Sequence, residues 1–259
     1  MARILITGSS DGIGQAAARH LTAQGHRVTL HARNPSRATQ AQAQLPGAEA
    51  ILIGDLSNLE ETRRLARKAN AHGPWDAVVH NAGIAETAGG KRTADGMALT
   101  FQVNTLAPYV LTSLMARPKR LLFLSSALHA GGDASLRDVA WREREGAFEA
   151  FQAYGDTKLQ DIMLANAVAR YWPDVQSCAL DPGWIQTKMG GGGAPGTTAT
   201  PARAIADFAV GESGITGDRT GVYFTPGGAR TPHAAAADEG RQEALLEVCE
   251  RLSGVAFPR

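Results

Sequence analysis

Apolar positions along this chain fall into short solid runs, separated by longer stretches in which they recur every three or four residues. The runs "RILIT" (3–7), "RVTLHA" (27–32), "AEAILIGD" (48–55), "WDAVVHNAG" (75–83), "RLLFLSS" (120–126), "VQSCAL" (175–180) and "TGVYFT" (220–225) are short and continuous. That pattern predicts strands buried on both faces. Helical periodicity fills the intervals: "GIGQAAARHLTAQG" closing at Gly25, a polar segment from the mid-30s to the mid-40s, "NLEETRRLARKANAHG", "DGMALTFQVNTLAPYVLTSLM", about Gln152 to Tyr171, and "DEGRQEALLEVCERLSG" closing at Gly254. Strands alternating with amphipathic helices specify an α/β architecture, a doubly wound parallel sheet of about seven strands with helices on both faces. The alternation has no linker break and no repeat of solenoid length, so residues 1–259 read as one domain. The stretch "KMGGGGAPGTTATP" (188–201) is too rich in glycine for the interior of an element and is expected to be a loop.

Composition narrows the classes. The chain is 44% hydrophobic and 20% charged with a net charge of +1, ordinary for a globular protein. Such a balance gives no field to recruit nucleic acid or an anionic membrane, and no basic patch or aromatic platform appears. No apolar run approaches the ~20 residues of a membrane span. "MARILITGSS" leads straight into a glycine loop with no signal-peptide pattern, so a cytoplasmic location is expected. Cys178 and Cys249 lie far apart, and the seven histidines form no H-x-x-x-H set, so no metal is expected.

Candidate chemistry begins with "LITGSSDGIGQ", where Gly8, Gly12 and Gly14 sit at the turn from the first strand into the first helix. Unpaired N–H groups and the helix dipole make an anion site there, and absent side chains let a pyrophosphate come close. The second strand ends "LHARN", with Ala32 and Arg33 in place of the acid that would hold an NAD ribose. A small neutral residue followed by arginine suits a 2′-phosphate, which favours NADP(H). In "AYGDTKLQ", Tyr154 and Lys158 are four apart on one helix face, where the ammonium can lower the phenol's pKa toward neutrality. "HNAG" and "LLFLSS" end strands, and Asn104 lies in a helix, so these groups gather beyond the carboxyl ends of the sheet.

Taken together, these motifs resemble the short-chain dehydrogenase/reductase family over nearly the whole chain, which implies a Rossmann fold. "TGSSDGIG" resembles the cofactor loop, which implies contacts from Gly8, Ser10, Gly12, Ile13 and Gly14. "GDLSN" (54–58) resembles the adenine segment, with Asp55 and Leu56 as contacts, and Asn81, Ala82 and Gly83 the motif that stiffens the sheet. "DPGWIQT" (181–187) resembles a motif whose Pro182, Gly183 and Thr187 would line the nicotinamide, with Thr187 on its carboxamide. Asn104, Ser126, Tyr154 and Lys158 match the catalytic tetrad. Strand alternation sends Ser125 and Ser126 to opposite sides, and the family pattern favours Ser126. The tail from Thr220, the segment "FQAYGDTKLQDIMLANAVAR" and the 28 positions from Ser126 to Tyr154 resemble the retinol dehydrogenase-like branch, with "ASLRDVAWREREGAF" inserted beside the site.

The implied activity is NADP(H)-dependent interconversion of a carbonyl compound and its alcohol, with Tyr154 as general acid/base, Ser126 on the substrate oxygen, Lys158 on the nicotinamide ribose and Asn104 holding a water. Trp184, Met189, Phe151 and His129 fall in segments expected to border the pocket, which points to an apolar substrate with 188–201 on its side of the cleft. Two other readings stand beside it: an NADP-binding sensor without turnover, and an NAD-linked alcohol dehydrogenase. A homodimer joined through the helices carrying Asn104 and Tyr154 is the expected assembly.

Overall fold

The computed structural model describes residues 1–85, 90–143 and 148–259. Its strands are β1 (Arg3–Ile6), β2 (Arg27–Ala32), β3 (Ala50–Ile53), β4 (Ala77–His80), β5 (Arg120–Leu124), β6 (Gln176–Leu180), β7 (Tyr223–Thr225) and β8 (Gly228–Ala229). They form a single sheet in the order β3-β2-β1-β4-β5-β6-β7-β8, parallel throughout except for the antiparallel β7–β8 pair. The helices are α1 (Gly12–Ala23), α2 (Pro35–Gln44), α3 (Leu59–His72), α4 (Leu99–Phe101), α5 (Ala107–Leu114), α6 (Ala150–Tyr171), α7 (Ala199–Val210) and α8 (Glu239–Ser253). A π-helical segment, Gln102–Leu106, joins α4 to α5.

Strand residues alternate between two cores, as a period-two pleat requires. Ile4, Ile6, Val79, Leu122 and Leu180 pack under α1, α2 and α7; Leu5, Val78, Phe123 and Ala179 pack under α3, α5, α6 and α8. Chain order reverses between β1 and β4, which opens a crevice at the carboxyl edge of the sheet, where ligands bind in doubly wound folds. Helix starts are set by side-chain caps: Asn34 accepts from Arg37 N, Asn58 from Glu61 N and Asp238 from Arg241 N.

The structure departs from the sequence reading in three places. Strand β8, two residues long, is too short to leave a hydrophobic run. Helix α7 takes Ala199, Thr200 and Pro201 out of the expected 188–201 loop: proline is tolerated in a first turn, and Pro201, Ala202, Ile205, Ala206, Phe208 and Ala209 form its buried stripe. It ends at Gly211, whose φ of +83° is the left-handed geometry of a helix stop. Finally, the single helix expected over "DGMALTFQVNTLAPYVLTSLM" is divided into α4, the π-helical segment and α5. Fourteen residues of α6, spread around the helix, are buried, and α8 packs on it. Tyr109 of α5 donates its hydroxyl to Val255 O at 2.7 Å, while Phe257 stacks on Trp172 at 5.3 Å. No helix among the described residues is long and apolar enough to cross a membrane.

Candidate active site

The crevice at the sheet reversal is a cleft of about 490 Å³. Its walls bring together most of the residues that the sequence singles out: Gly8, Ser10, Gly12, Ile13, Arg33, Asp55, Leu56, Asn81, Ala82, Gly83, Tyr154, Lys158, Pro182 and Thr187. Gly8 and Gly12 have φ of +62° and +60°, and a Cβ on Gly8 would come within 2.7 Å of Ala82 Cα. A Cβ on Gly12 would meet only Thr187 across the cleft, which leaves this side of the loop open to a phosphate. The glycine cradle and the flanking arginines therefore fit a dinucleotide.

Gly14 and Gly183 do not border the cleft. A Cβ on Gly14 would overlap the Asn81 side-chain amide, so this glycine serves the fit of α1 against the end of β4. Asn81 donates from Nδ2 to Thr7 O and Gly8 O, and the Asn81 and Ala82 amides both donate to Thr7 Oγ1, so the end of β4 is laced to the glycine loop. Gly183, with φ of +83°, donates its N–H to Asp181 Oδ1 in the turn that presents Pro182.

The serines separate as alternation requires. Ser125 borders the cleft, but its hydroxyl is buried and donates to Lys158 O at 2.8 Å. Ser126 is partly exposed, and its Oγ accepts from Leu128 N at 3.3 Å, capping a 3-10 turn at Ala127–Gly131. That bond leaves its proton available to a ligand. Asn104, in the π-helical segment, is buried: Oδ1 accepts from Ile84 N, while Nδ2 donates to Ile84 O and Thr157 Oγ1. It braces the loop after Gly83 against α6, one turn from Tyr154. Lys158 Nζ lies 5.4 Å from the centroid of the Tyr154 ring and donates to Leu124 O and Asp161 Oδ2, each at 2.6 Å.

Several cleft residues escape the sequence reading. His31 is buried beneath the glycine loop, where Nδ1 accepts from Gly8 N at 2.9 Å and Nε2 donates to Gly54 O at 2.8 Å. Burial pushes its pKa down, which keeps the acceptor nitrogen bare. Arg37, in the first turn of α2, donates to Ser10 Oγ and Asp11 Oδ2; its place just inside the helix capped by Asn34 could have revealed it. Lys188 also pairs with Asp11, at 3.0 Å. Burial alone would raise Asp11, but its bonds to Lys188 and Arg37 outweigh that and hold it below the usual carboxylate range.

Of the expected rim residues, Met189 alone borders the cleft, and it is 40% exposed. Leu128 joins Phe151 and Trp184 as an exposed apolar side chain on the segments flanking Ser126, Tyr154 and Pro182; the three are 45%, 65% and 63% exposed. His129 is instead buried, with its ring bonded to Ser126 O and accepting from His233 N. Part of the inserted stretch, residues 144–147, lies outside the described residues. Among the described residues no group of three His, Cys, Asp or Glu side chains could hold a metal ion.

Residues 2–193 match the family model described as short chain dehydrogenase. The chain is 50% identical over 262 residues to an uncharacterized oxidoreductase of Emericella nidulans, covering 100% of this chain and 99% of that one. It is 30% identical over 214 residues to human retinol dehydrogenase 14, covering 72% of this chain and 62% of that protein. A crystal structure of a protein from Mycobacterium paratuberculosis superposes with a TM-score of 0.81 at 25% identity, covering 100% of this chain and 96% of that one.

Proposed function

This chain belongs to the short-chain dehydrogenase family, is an oxidoreductase similar to its retinol dehydrogenase-like branch, and on that footing we propose that it interconverts an apolar carbonyl compound and its alcohol with NADP(H). The observation that carries the reading is one cleft bordered at once by the glycine cradle, by Arg33 and Arg37, and by Tyr154 and Lys158. Arg33, just past β2, and Arg37, which donates to Ser10 Oγ, both line the cleft, where a 2′-phosphate would find paired donors, and no carboxylate ends that strand.

Bound NADPH supplies a hydride to the carbonyl carbon. Ser126 donates a hydrogen bond to the carbonyl oxygen and fixes it in line. Tyr154 donates its proton to the oxygen as negative charge develops there. Lys158, with two of its three N–H groups already spent on Leu124 O and Asp161, offers the third to the ribose and stabilises the phenolate left behind. Asn104 braces the segment that brings Gly83 against Lys158. Leu128, Phe151, Trp184 and Met189 provide an apolar rim that sheds water when a carbonyl substrate of matching character enters.

Absorbance loss with NADPH and NADH across aldehydes, ketones and quinones tests this. Tyr154→Phe is expected to lower turnover by about 10²-fold or more while NADPH still binds. Arg33→Ala and Arg37→Ala are each expected to weaken NADPH far more than NADH. Tight NADPH binding without turnover on any compound would favour the sensor reading, and equal losses for both cofactors would remove the arginines from the phosphate site.

A further inference from the structure

The active-site helix carries a second charge that the proposed reaction does not require. Asp161 follows Lys158 by three residues on α6, and the two side chains are 3% and 4% exposed. Their contact at 2.6 Å, with the Lys158 bond to Leu124 O, leaves the ammonium a single N–H for the cleft. The same Nζ faces the Tyr154 ring, so phenol, ammonium and carboxylate form a line from the cleft into the core. An isolated ammonium beside a phenol favours the phenolate. A carboxylate directly behind that ammonium compensates its charge and withdraws part of that preference.

We infer that Asp161 is a positioning residue that holds Lys158 in place and offsets its charge, so that Tyr154 stays protonated near neutral pH and the site is poised to donate a proton rather than take one. The inference rests on Tyr154 being the acid/base group, and it assigns the form in which that group rests: the phenol that carbonyl reduction consumes.

The surroundings make this pair its own electrostatic unit. Burial presses the Lys158 pKa down, but the charges of Asp161 and Tyr154 outweigh it and raise the ammonium above its ordinary value. Burial favours the neutral form of Asp161, and the bonded Lys158 ammonium pulls it back toward the carboxylate. Elements packed on α6 bring other ionisable groups, and each is engaged elsewhere. His129 bonds Ser126 O and His233 N; Asp181 lies against Tyr223; Glu243 of α8 pairs with Arg170; and His80, at the end of β4, bonds Thr112 with burial holding its pKa at about 3. On α6 itself, buried Asp156 accepts from Asp133 N and Trp141 Nε1.

The test reads tyrosinate formation by near-ultraviolet absorbance in the cofactor-free protein, which needs no substrate. Of the four tyrosines, Tyr109 and Tyr223 are pushed up by burial, and subtracting the Tyr154→Phe titration isolates Tyr154. Asp161→Asn, similar in shape without the charge, is expected to move the Tyr154 midpoint down by about one pH unit or more, and Asp161→Glu to return it toward the wild-type value. With a substrate in hand, Asp161→Asn is expected to move the high-pH fall of kcat for carbonyl reduction to lower pH. A midpoint that Asp161→Asn leaves unmoved overturns the inference and leaves the role of Tyr154 standing. Titrations of wild type and Tyr154→Phe that coincide overturn both. If the variants do not fold, carbon-13 tyrosine NMR of the wild type decides: the Tyr154 signal is expected to keep the chemical shift of a phenol through about pH 8, and a phenolate shift near neutral pH overturns the proposal.

Discussion

At the scale of single residues, legibility followed whether a side chain's role could be read within its own segment. Gly8 and Gly12 announce a tight loop by themselves, and Tyr154 and Lys158 announce a shared face by their spacing. His31 does not, because its partner Gly8 N lies 23 positions away and only the β1–β2 pairing brings them together. The serines show the same limit: alternation separates Ser125 from Ser126, but only the Ser125 bond to Lys158 O shows which hydroxyl is already spent. His31→Phe is expected to strand the Gly8 N–H under the loop, a cost of about 1–3 kcal/mol, and to weaken NADPH binding measured by fluorescence titration. Gly14→Ala belongs here as well. Its methyl must displace the Asn81 amide, and chemical denaturation is expected to record a loss of about 1–3 kcal/mol.

Among the elements, long periodic segments were read to within a few residues: β2 coincides with "RVTLHA", and α6 begins two residues before the expected Gln152. Helix α7 escaped because its first turn shares residues with a glycine-rich stretch, and a proline there marks a helix start as readily as a loop. The π-helical segment left no trace in hydrophobic spacing, since one wide turn shifts the phase of so few residues. The segment beyond α8 is the other element without periodicity. It is anchored by Phe257 on Trp172, by Trp172 Nε1 donating to Pro258 O at 2.7 Å, and by the Tyr109 bond to Val255 O. Phe257→Ala is expected to cost about 3–5 kcal/mol in urea unfolding, and an unchanged midpoint would show that this clasp is incidental.

For the whole molecule, two buried imidazoles set an acid limit. Burial lowers His80 from 6.5 to about 3 and moves His31 in the same direction, so the unfolded chain binds protons that the folded one refuses. Their stabilising contribution is complete above pH 6.5 and is lost as pH falls toward 3, by about 1.4 kcal/mol per unit for a histidine in that window. Burial of Asp161 works the opposite way, raising its carboxyl and favouring the fold at low pH, while the bonded Lys158 ammonium pulls against that shift. Urea unfolding at pH 7, 5 and 4 is expected to show a shallower decline in His80→Asn than in wild type, and parallel slopes would count against the neutral buried imidazole. Coverage of α5 and α6 by the chain's own residues also leads us to expect a monomer in light scattering.

Enclosure of α6 has a consequence on another timescale. A helix buried on nearly every face releases its amide hydrogens to solvent only when the whole domain opens, so the backbone around Tyr154 and Lys158 should exchange with deuterium as slowly as any part of the chain. The proton-transfer groups thus ride on the stiffest wall of the cleft. Adaptation to new substrates is left to exposed side chains such as Leu128, Trp184 and Met189 on the neighbouring loops, where a changed side chain disturbs no core.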